Sequence, residues 1–138
     1  MNRSIVINLQ SINIHNILLN EDHNLFKIKY KLYPDIYMIG LSLKLNMTSI
    51  TQDKYNYYYL NINTKDDYDK IYCIDNYFNN QITNYKSFLK DKNIIFYKNQ
   101  YLDSFYESNK NKQIDIYLTI KYIKKGKDNY PIIHILNE

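Results

Sequence analysis

The feature that most constrains this chain is an alternation of apolar and polar residues with a period of two. In residues 26–32, four apolar side chains alternate with three lysines. The same alternation runs through residues 37–47 and 114–122. Because successive side chains of an extended strand point to opposite faces, this pattern predicts β-strands that are buried on one face and polar on the other.

Shorter segments complete the prediction of strands and loops. Residues 33–35 contain Pro34 and give a turn signal, so we predict that the strands at 26–32 and 37–47 form a hairpin. Residues 4–14 alternate and then change phase, which predicts a bulge or a bend. Residues 48–53 are polar and predict a loop. The next segment, 55–62, predicts a strand with tyrosines on both faces.

One segment has the period of a helix. Between about 66 and 89, apolar residues recur every three or four positions, which predicts an amphipathic helix. Thr64 and an aspartate-rich first turn are typical of a helix N-terminus. Asn79 and Asn80 predict a weak point, because asparagine is a poor helix former. Residues 93–97 are a short apolar run, and 103–108 predict one helical turn within a polar loop.

The end of the chain predicts a hairpin that completes a mainly β domain. Gly126 lies in a lysine-rich turn between the strand at 114–122 and a last strand at 130–136. With 138 residues, the chain fits a single domain over 1–138. The order of segments predicts an OB-like small barrel, or a β-sandwich, with one helix (about 66–89) inserted before the C-terminal hairpin.

Composition limits how far individual side chains can be interpreted. Ile, Asn, Lys and Tyr make up more than half of the residues, whereas Ala and Trp are absent. The abundant types have A/T-rich codons, which indicates an A/T-rich genome such as that of a large DNA virus, an organelle or a protist. The richness in lysine and tyrosine therefore has a compositional explanation beside a functional one.

The sequence predicts no catalytic centre, metal site or cofactor. His15, His23 and His134 are far apart and have no neighbour at ligand spacing. Cys73 lies in the predicted helix, and we interpret it as a buried, inert thiol. The aspartates at 66–69 lack the glycine and distal glutamate of a calcium loop. We therefore expect a protein that is not an enzyme.

The absence of a signal pattern leads to an expected location. Cys73 is the single cysteine, which excludes an intramolecular disulfide. No secretory signal and no apolar run long enough to span a membrane is visible. We expect an intracellular, reducing compartment (host cytoplasm or nucleus, or the virion if the protein is viral), with no secretion and no membrane partner.

Lysines interleaved with tyrosines give the most specific functional pattern. A net charge of +4 permits an anionic partner. Lysine binds phosphate groups, and aromatic rings stack on bases without reading sequence. We therefore predict a partner that is single-stranded nucleic acid. The predicted phosphate-binding residues are Lys27, Lys29, Lys31, Lys121, Lys124, Lys125 and Lys127, and the predicted stacking residues are Tyr57, Tyr59 and Tyr117.

Three segments carry a resemblance to a known family: residues 74–78 on the predicted helix, then 116–122 and 130–133 on the closing strands. Their layout, over roughly residues 36–136, resembles that of the OB-fold single-stranded-DNA-binding proteins of large DNA viruses. The resemblance implies a replication or recombination protein that coats displaced strands.

An alternative reading belongs to a different class. A viral structural or assembly protein of the capsid type would use tyrosine-rich strand faces as protein interfaces, where tyrosine is enriched. Its partners would be further copies of itself, in a homo-oligomer, or other assembly proteins. The two readings differ in one structural respect: a nucleic-acid groove requires the lysines at 27–31 and those at 124–127 to share one surface.

Overall fold

The alternating segments form one curled, half-barrel sheet. The computed structural model describes residues 4–36, 38–52, 57–97 and 100–136. Within these ranges the fold is mainly β with two helices, which confirms the predicted barrel-like class. The strands are β1 Ser4–Asn8, β2 Ile17–Asp22, β3 Leu25–Tyr30, β4 Met38–Gln52, β5 Tyr57–Ile62, β6 Leu89–Lys90, β7 Asn93–Tyr97, β8 Gln113–Lys125 and β9 Asp128–Ile135, and the helices are α1 Lys65–Gln81 and α2 Gln100–Asn109.

The sheet order differs from the order of strands along the chain. It runs β2-β3-β8-β4-β5-β7-β6, with β1 parallel to β4 and β9 antiparallel to β8. The predicted hairpin between β3 and β4 is therefore wrong, because the two strands do not pair with each other. Both pair with one edge of β8, at residues 121–123 and 113–118, and β9 pairs with its other edge. The hairpin partner of β3 is β2, a strand that the alternation did not predict. The predicted closing hairpin, β8–β9, is confirmed, and Gly126 in its turn has a φ of +61°.

The phase change near the N-terminus is a pair of short 3-10 turns. Asn8 ends β1 and accepts the N–H of Gln10, and Asn13 accepts the N–H of His15. Residues 48–52 continue β4 instead of forming the predicted loop, with a register shift between Asn46 and Thr51. The shift places extra residues in β4 and lets it bend while it pairs with β5. From the predicted segments, residues 37, 53, 55 and 56 lie outside the described ranges.

Helix α1 begins where the sequence predicted and ends earlier. The Thr64 hydroxyl oxygen accepts the N–H of Asp67 at 3.2 Å, which is a standard N-cap bond. The helix ends at Gln81, and Asn84 has a left-handed φ of +52° that no continuing helix allows. The predicted extension to residue 89 is therefore wrong. The single turn predicted at 103–108 is part of α2, which buries Leu102.

The core lies between the inner face of the sheet and α1. Alternate residues of β4 and β8, such as Leu45 and Ile116, face inward and are fully buried. Phe78 of α1 packs against them, with the Tyr122 and Phe88 rings 5.8 and 6.4 Å away between centroids. Burial of each such side chain stabilises the fold by about 1.5–3 kcal/mol. The intervening residues of each strand form the outer face, and the predicted binding residues lie mostly there.

Candidate nucleic-acid interface

The outer face of β3 and β8 brings lysines from two distant segments together. Lys27 on β3 lies directly opposite Lys121 on β8. On the same face, Lys125 lies four residues beyond Lys121, and Lys29 lies two residues from Lys27 in the opposite direction. We call these four lysines the basic band. At a rise of about 3.3 Å per residue, the band is roughly 20 Å long.

The members of the band differ in exposure. Lys125 is exposed, and Lys29 and Lys121 are partly buried. Lys27 is only 5% exposed, which leaves almost no surface for direct contact with a ligand. The sequence pattern placed Lys27 on an open face, and this expectation is corrected. The physical reason is that alternation assigns Lys27 to a face of β3 and carries no information about which side chains pack over that face.

The other predicted lysines lie at the strand ends. Lys31 is exposed in the turn that follows β3. The N–H of Lys124 donates to the carbonyl of Asn24 at 2.9 Å, which joins the β8–β9 hairpin to the β2–β3 turn. The carbonyl of Lys127 accepts a bond from the Asn84 side chain at 2.7 Å. Lys124 and Lys127 are both exposed beside Lys125, so the turn extends the basic band at one end.

The three predicted tyrosines do not form one platform. Tyr117 lies on the outer face of β8, four residues from Lys121, and is 41% exposed. Tyr57 and Tyr59 lie on the outer face of β5. Tyr59 is only 8% exposed, and the Lys90 ammonium lies 5.4 Å from its ring centroid. Tyr59 therefore offers little surface for a base, contrary to the prediction.

The distance across the sheet separates β5 from the basic band. Leu45 of β4 pairs with Ile114 of β8 and with Ile62 of β5. Lys121 lies seven residues beyond Ile114 along β8, and Tyr59 lies three residues from Ile62 along β5 in the opposite direction. At a rise of about 3.3 Å per residue, Lys121 and Tyr59 are therefore about 33 Å apart along the strand direction. Of the predicted tyrosines, Tyr117 is the one that accompanies the band.

Two residues of β9 that the sequence pattern did not single out flank this surface. His134 pairs with Thr119, next to Lys121 on the outer face. Partial desolvation, and then the Lys121 charge, lower the pKa of His134 below its usual value. Tyr130 lies further along β9 and is 40% exposed. The alternation of β9 puts both residues on one face, but the register with β8 was needed to place that face beside the lysines.

The remaining candidates from the sequence lie apart. Cys73 is exposed on α1, not buried as expected. Among the described residues, no three His, Cys, Asp or Glu side chains are close enough together to hold a metal ion. In the same part of the chain, no helix combines the length and the apolar character needed to cross a membrane.

The chain matches no protein-family model, no curated protein and no solved structure.

Proposed function

We propose that this protein binds single-stranded nucleic acid through the basic band, without catalysis and without sequence specificity. The supporting observation is the β3–β8 register, in which Lys27 lies opposite Lys121. Two segments far apart in sequence thereby contribute cations to one face. Lysines on such a face replace the counterions of a phosphate backbone, which drives non-specific binding.

The chemistry of the band favours contact with the backbone over base reading. Lysine is a flexible point charge and does not make the paired hydrogen bonds by which arginine recognises guanine. The single arginine, Arg3, lies outside the described residues. Tyr117 adds one exposed ring, and a stacked base contributes about 1–3 kcal/mol. The side chains proposed to contact phosphates are Lys29, Lys31, Lys121, Lys124, Lys125 and Lys127.

The resemblance in layout supports a proposed biological role. A protein that resembles the OB-fold single-stranded-DNA-binding proteins of large DNA viruses would coat displaced strands during replication or recombination. A surface that contacts backbone phosphates and stacks on bases without reading them suits such a role, because the strand to be covered has no fixed sequence.

A second candidate function is supported by apolar groups on the same outer face. Val6, Leu18, Tyr117 and Tyr130 are each about 40% exposed. Tyrosine is enriched at protein interfaces, and exposed aliphatic side chains favour association. In this alternative the protein is an assembly component of the capsid type, and its partners are further copies or other assembly proteins.

The test is fluorescence anisotropy with a labelled oligothymidylate of about 30 nucleotides, titrated between about 50 and 200 mM salt. The six proposed phosphate contacts predict a slope of about −4 in log affinity against log salt, or an affinity loss of about 300-fold over this range. The test variant carries Lys29→Gln, Lys121→Gln and Lys125→Gln. The matched control carries Lys65→Gln, Lys92→Gln and Lys112→Gln, which are exposed positions away from the band.

The expected result is that the test variant binds more weakly and shows a slope of about −2, because three of the six contacts remain, whereas the control keeps most of its affinity and its slope. Absence of binding by the unaltered protein at the lowest salt would contradict the proposal. Equal losses in the two variants would show that net charge, and not the band, attracts the oligonucleotide. A discrete oligomer that ignores the oligonucleotide would favour the assembly protein.

A further inference from the structure

Within the described residues, one edge of β9 has no hydrogen-bonded neighbour for part of its length. The N–H of Leu136 donates to the carbonyl of Tyr117 at 2.6 Å, which fixes the phase of the β8–β9 ladder. Hydrogen bonding to a given neighbour alternates along an antiparallel strand. The backbone groups of Ile133 and Ile135 therefore point away from β8, toward the other edge.

The start of the same edge is already paired. The N–H of Asn129 donates to the carbonyl of Asn84, and its carbonyl accepts the N–H of Lys86, both at 3.1 Å. Pro131 is the next residue whose backbone groups point to this edge. Its nitrogen points away from β8, so the lack of an N–H removes no bond to β8. Beyond Pro131, no described residue bonds to the edge-facing backbone groups of Ile133. The same holds for Ile135 within the described ranges.

A cleft of about 450 Å³ lies beside this open stretch. Phe96 of β7 and Leu102 of α2 line it together with Ile133 and Ile135, and Phe96 and Leu102 are almost fully buried. At the mouth of the cleft, Tyr101 is 49% exposed and His134 is exposed. An extended segment in the cleft would therefore have an apolar side and a solvent-facing side.

Lys121 brings a positive charge to the mouth of the cleft, where it acts on His134, whose pKa is lowered by desolvation and by that charge. Helix α2 begins at Gln100, which also lines the cleft, and Asp103 in its first turn partly offsets the positive end of the helix dipole. Acidic side chains placed near Lys121 on the solvent-facing side of a bound segment would meet a favourable potential.

We propose that the open edge of β9 binds an extended peptide in which apolar and acidic residues alternate, and that this peptide adds a strand to the sheet. Its main chain would bond to Ile133 and Ile135, its apolar side chains would enter the cleft, and its acidic side chains would lie near His134 and Lys121. Strand addition obtains affinity from main-chain bonds and specificity from alternate side chains.

A second copy of the chain fits this edge less well than a peptide. In an antiparallel pair of β9 strands, each copy would bring its own Lys121 and its own α2 N-terminus to the contact, so that like charges would face each other. An acidic peptide avoids this repulsion. The proposed interaction does not depend on binding of nucleic acid.

Amide hydrogen exchange followed by NMR tests the proposal on the intact protein. In the free protein, the amides of Ile133 and Ile135 should exchange faster than those of Ile132 and His134, which bond to β8. A capped peptide of about eight residues that alternates Val and Glu should protect the two fast amides and shift the resonances of Phe96. A control peptide that alternates Val and Lys should bind about tenfold more weakly, as expected when two exposed ion pairs are lost.

Two variants separate the backbone contribution from the charge. Ile133→Pro removes an edge-facing N–H without removing a bond to β8, and should abolish binding of the Val/Glu peptide. His134→Glu keeps the backbone and should reverse the preference between the two peptides. Failure of the Val/Glu peptide to protect Ile133 and Ile135, or equal binding of both peptides, would overturn the proposal. If the amides of Ile133 and Ile135 became protected without peptide as the protein concentration rises, and the protein had the mass of a dimer, the edge would bind a second copy of the chain instead.

Discussion

Removal of the Tyr85 hydroxyl is expected to destabilise the fold far more than removal of the Tyr122 hydroxyl, although the two are direct partners. The Tyr122 hydroxyl donates to that of Tyr85 at 2.5 Å, and the Tyr85 hydroxyl donates to the Asp75 carboxylate. Ser87 donates to the other carboxylate oxygen of Asp75 at 2.8 Å. This hydroxyl chain joins α1 to β8 through the segment that follows the helix.

The place of each hydroxyl in this series of hydrogen bonds determines how much stability its removal costs. Tyr122→Phe loses one neutral hydrogen bond, which costs about 1 kcal/mol. Tyr85→Phe loses a bond to a carboxylate, about 2 kcal/mol, and leaves the buried Tyr122 hydroxyl without its acceptor, about 2 kcal/mol more. The double variant has no stranded hydroxyl, so its loss is about 3 kcal/mol, less than the sum of the single losses.

Urea unfolding of the four proteins, followed by circular dichroism, measures this cycle. The effect of Tyr122→Phe on the free energy of unfolding should change sign with the background. It should stabilise the Tyr85→Phe variant by about 1 kcal/mol and destabilise the unaltered protein. Tyr130→Phe is the control, because its hydroxyl is exposed and makes only a 3.3 Å contact with Asp128. Additive losses, or a double variant less stable than Tyr85→Phe, would refute the proposed order of donors and acceptors.

Three further predictions concern titration and packing. Burial, and then the hydrogen-bonded carboxylate of Asp103, raise the pKa of Tyr58 to about 12. Unfolded tyrosine ionises near pH 10, so the free energy of unfolding should fall as the pH rises from about 10 to about 12. Urea midpoints should show a smaller fall in the Tyr58→Phe variant. An NMR titration should give His134 a pKa below about 6.5, which Lys121→Gln raises only in part because desolvation is the larger cause. The added Cβ of Gly40→Ala would lie 2.8 Å from Leu136 Cδ1, the end of a flexible side chain that can turn aside. Thermal unfolding should therefore show a cost of less than about 1 kcal/mol, which a second change, Leu136→Ala, largely removes.

Strand β8 illustrates what alternation predicts and what it leaves open. The pattern at 114–122 identified the strand and its apolar face, and both are observed. Nothing in the pattern specifies a partner, so the turn signal at 33–35 led to a hairpin between β3 and β4. In the sheet, β3 and β4 instead pair one after the other with the same edge of β8, and β9 pairs with the other edge, so that β8 makes backbone bonds on both sides. Loop-closure entropy opposes such a distant pairing only weakly.

The end of α1 shows tertiary contacts overriding a local period. Ile82, Tyr85 and Leu89 continue the spacing of the helix, so the sequence alone extends it. In the structure, Tyr85 must reach Asp75, and Phe88 must reach Phe78 in the core. Both contacts require the chain to turn back after residue 81, and helical propensity is too weak to prevent this.

Burial explains why the candidate site was only partly predictable. Alternation assigns a face to a side chain, and it correctly put Lys29, Lys121 and Tyr117 on the outer face. It carries no information about what else covers that face. Lys27 and Tyr59 are on the outer face and nevertheless buried, the first within an interior strand and the second beneath Lys90. Exposure depends on the side chains that pack over the face, and the alternation of a single strand does not contain them.

The register also bears on whether lysine abundance alone accounts for the basic band. Codon bias raises the number of lysines in a chain, but it does not choose which residues of distant strands lie opposite each other. Codon bias therefore accounts for the number of lysines in the chain, whereas the β3–β8 register accounts for the position of four of them on one face. The proposed binding rests on this second feature, which composition alone does not produce.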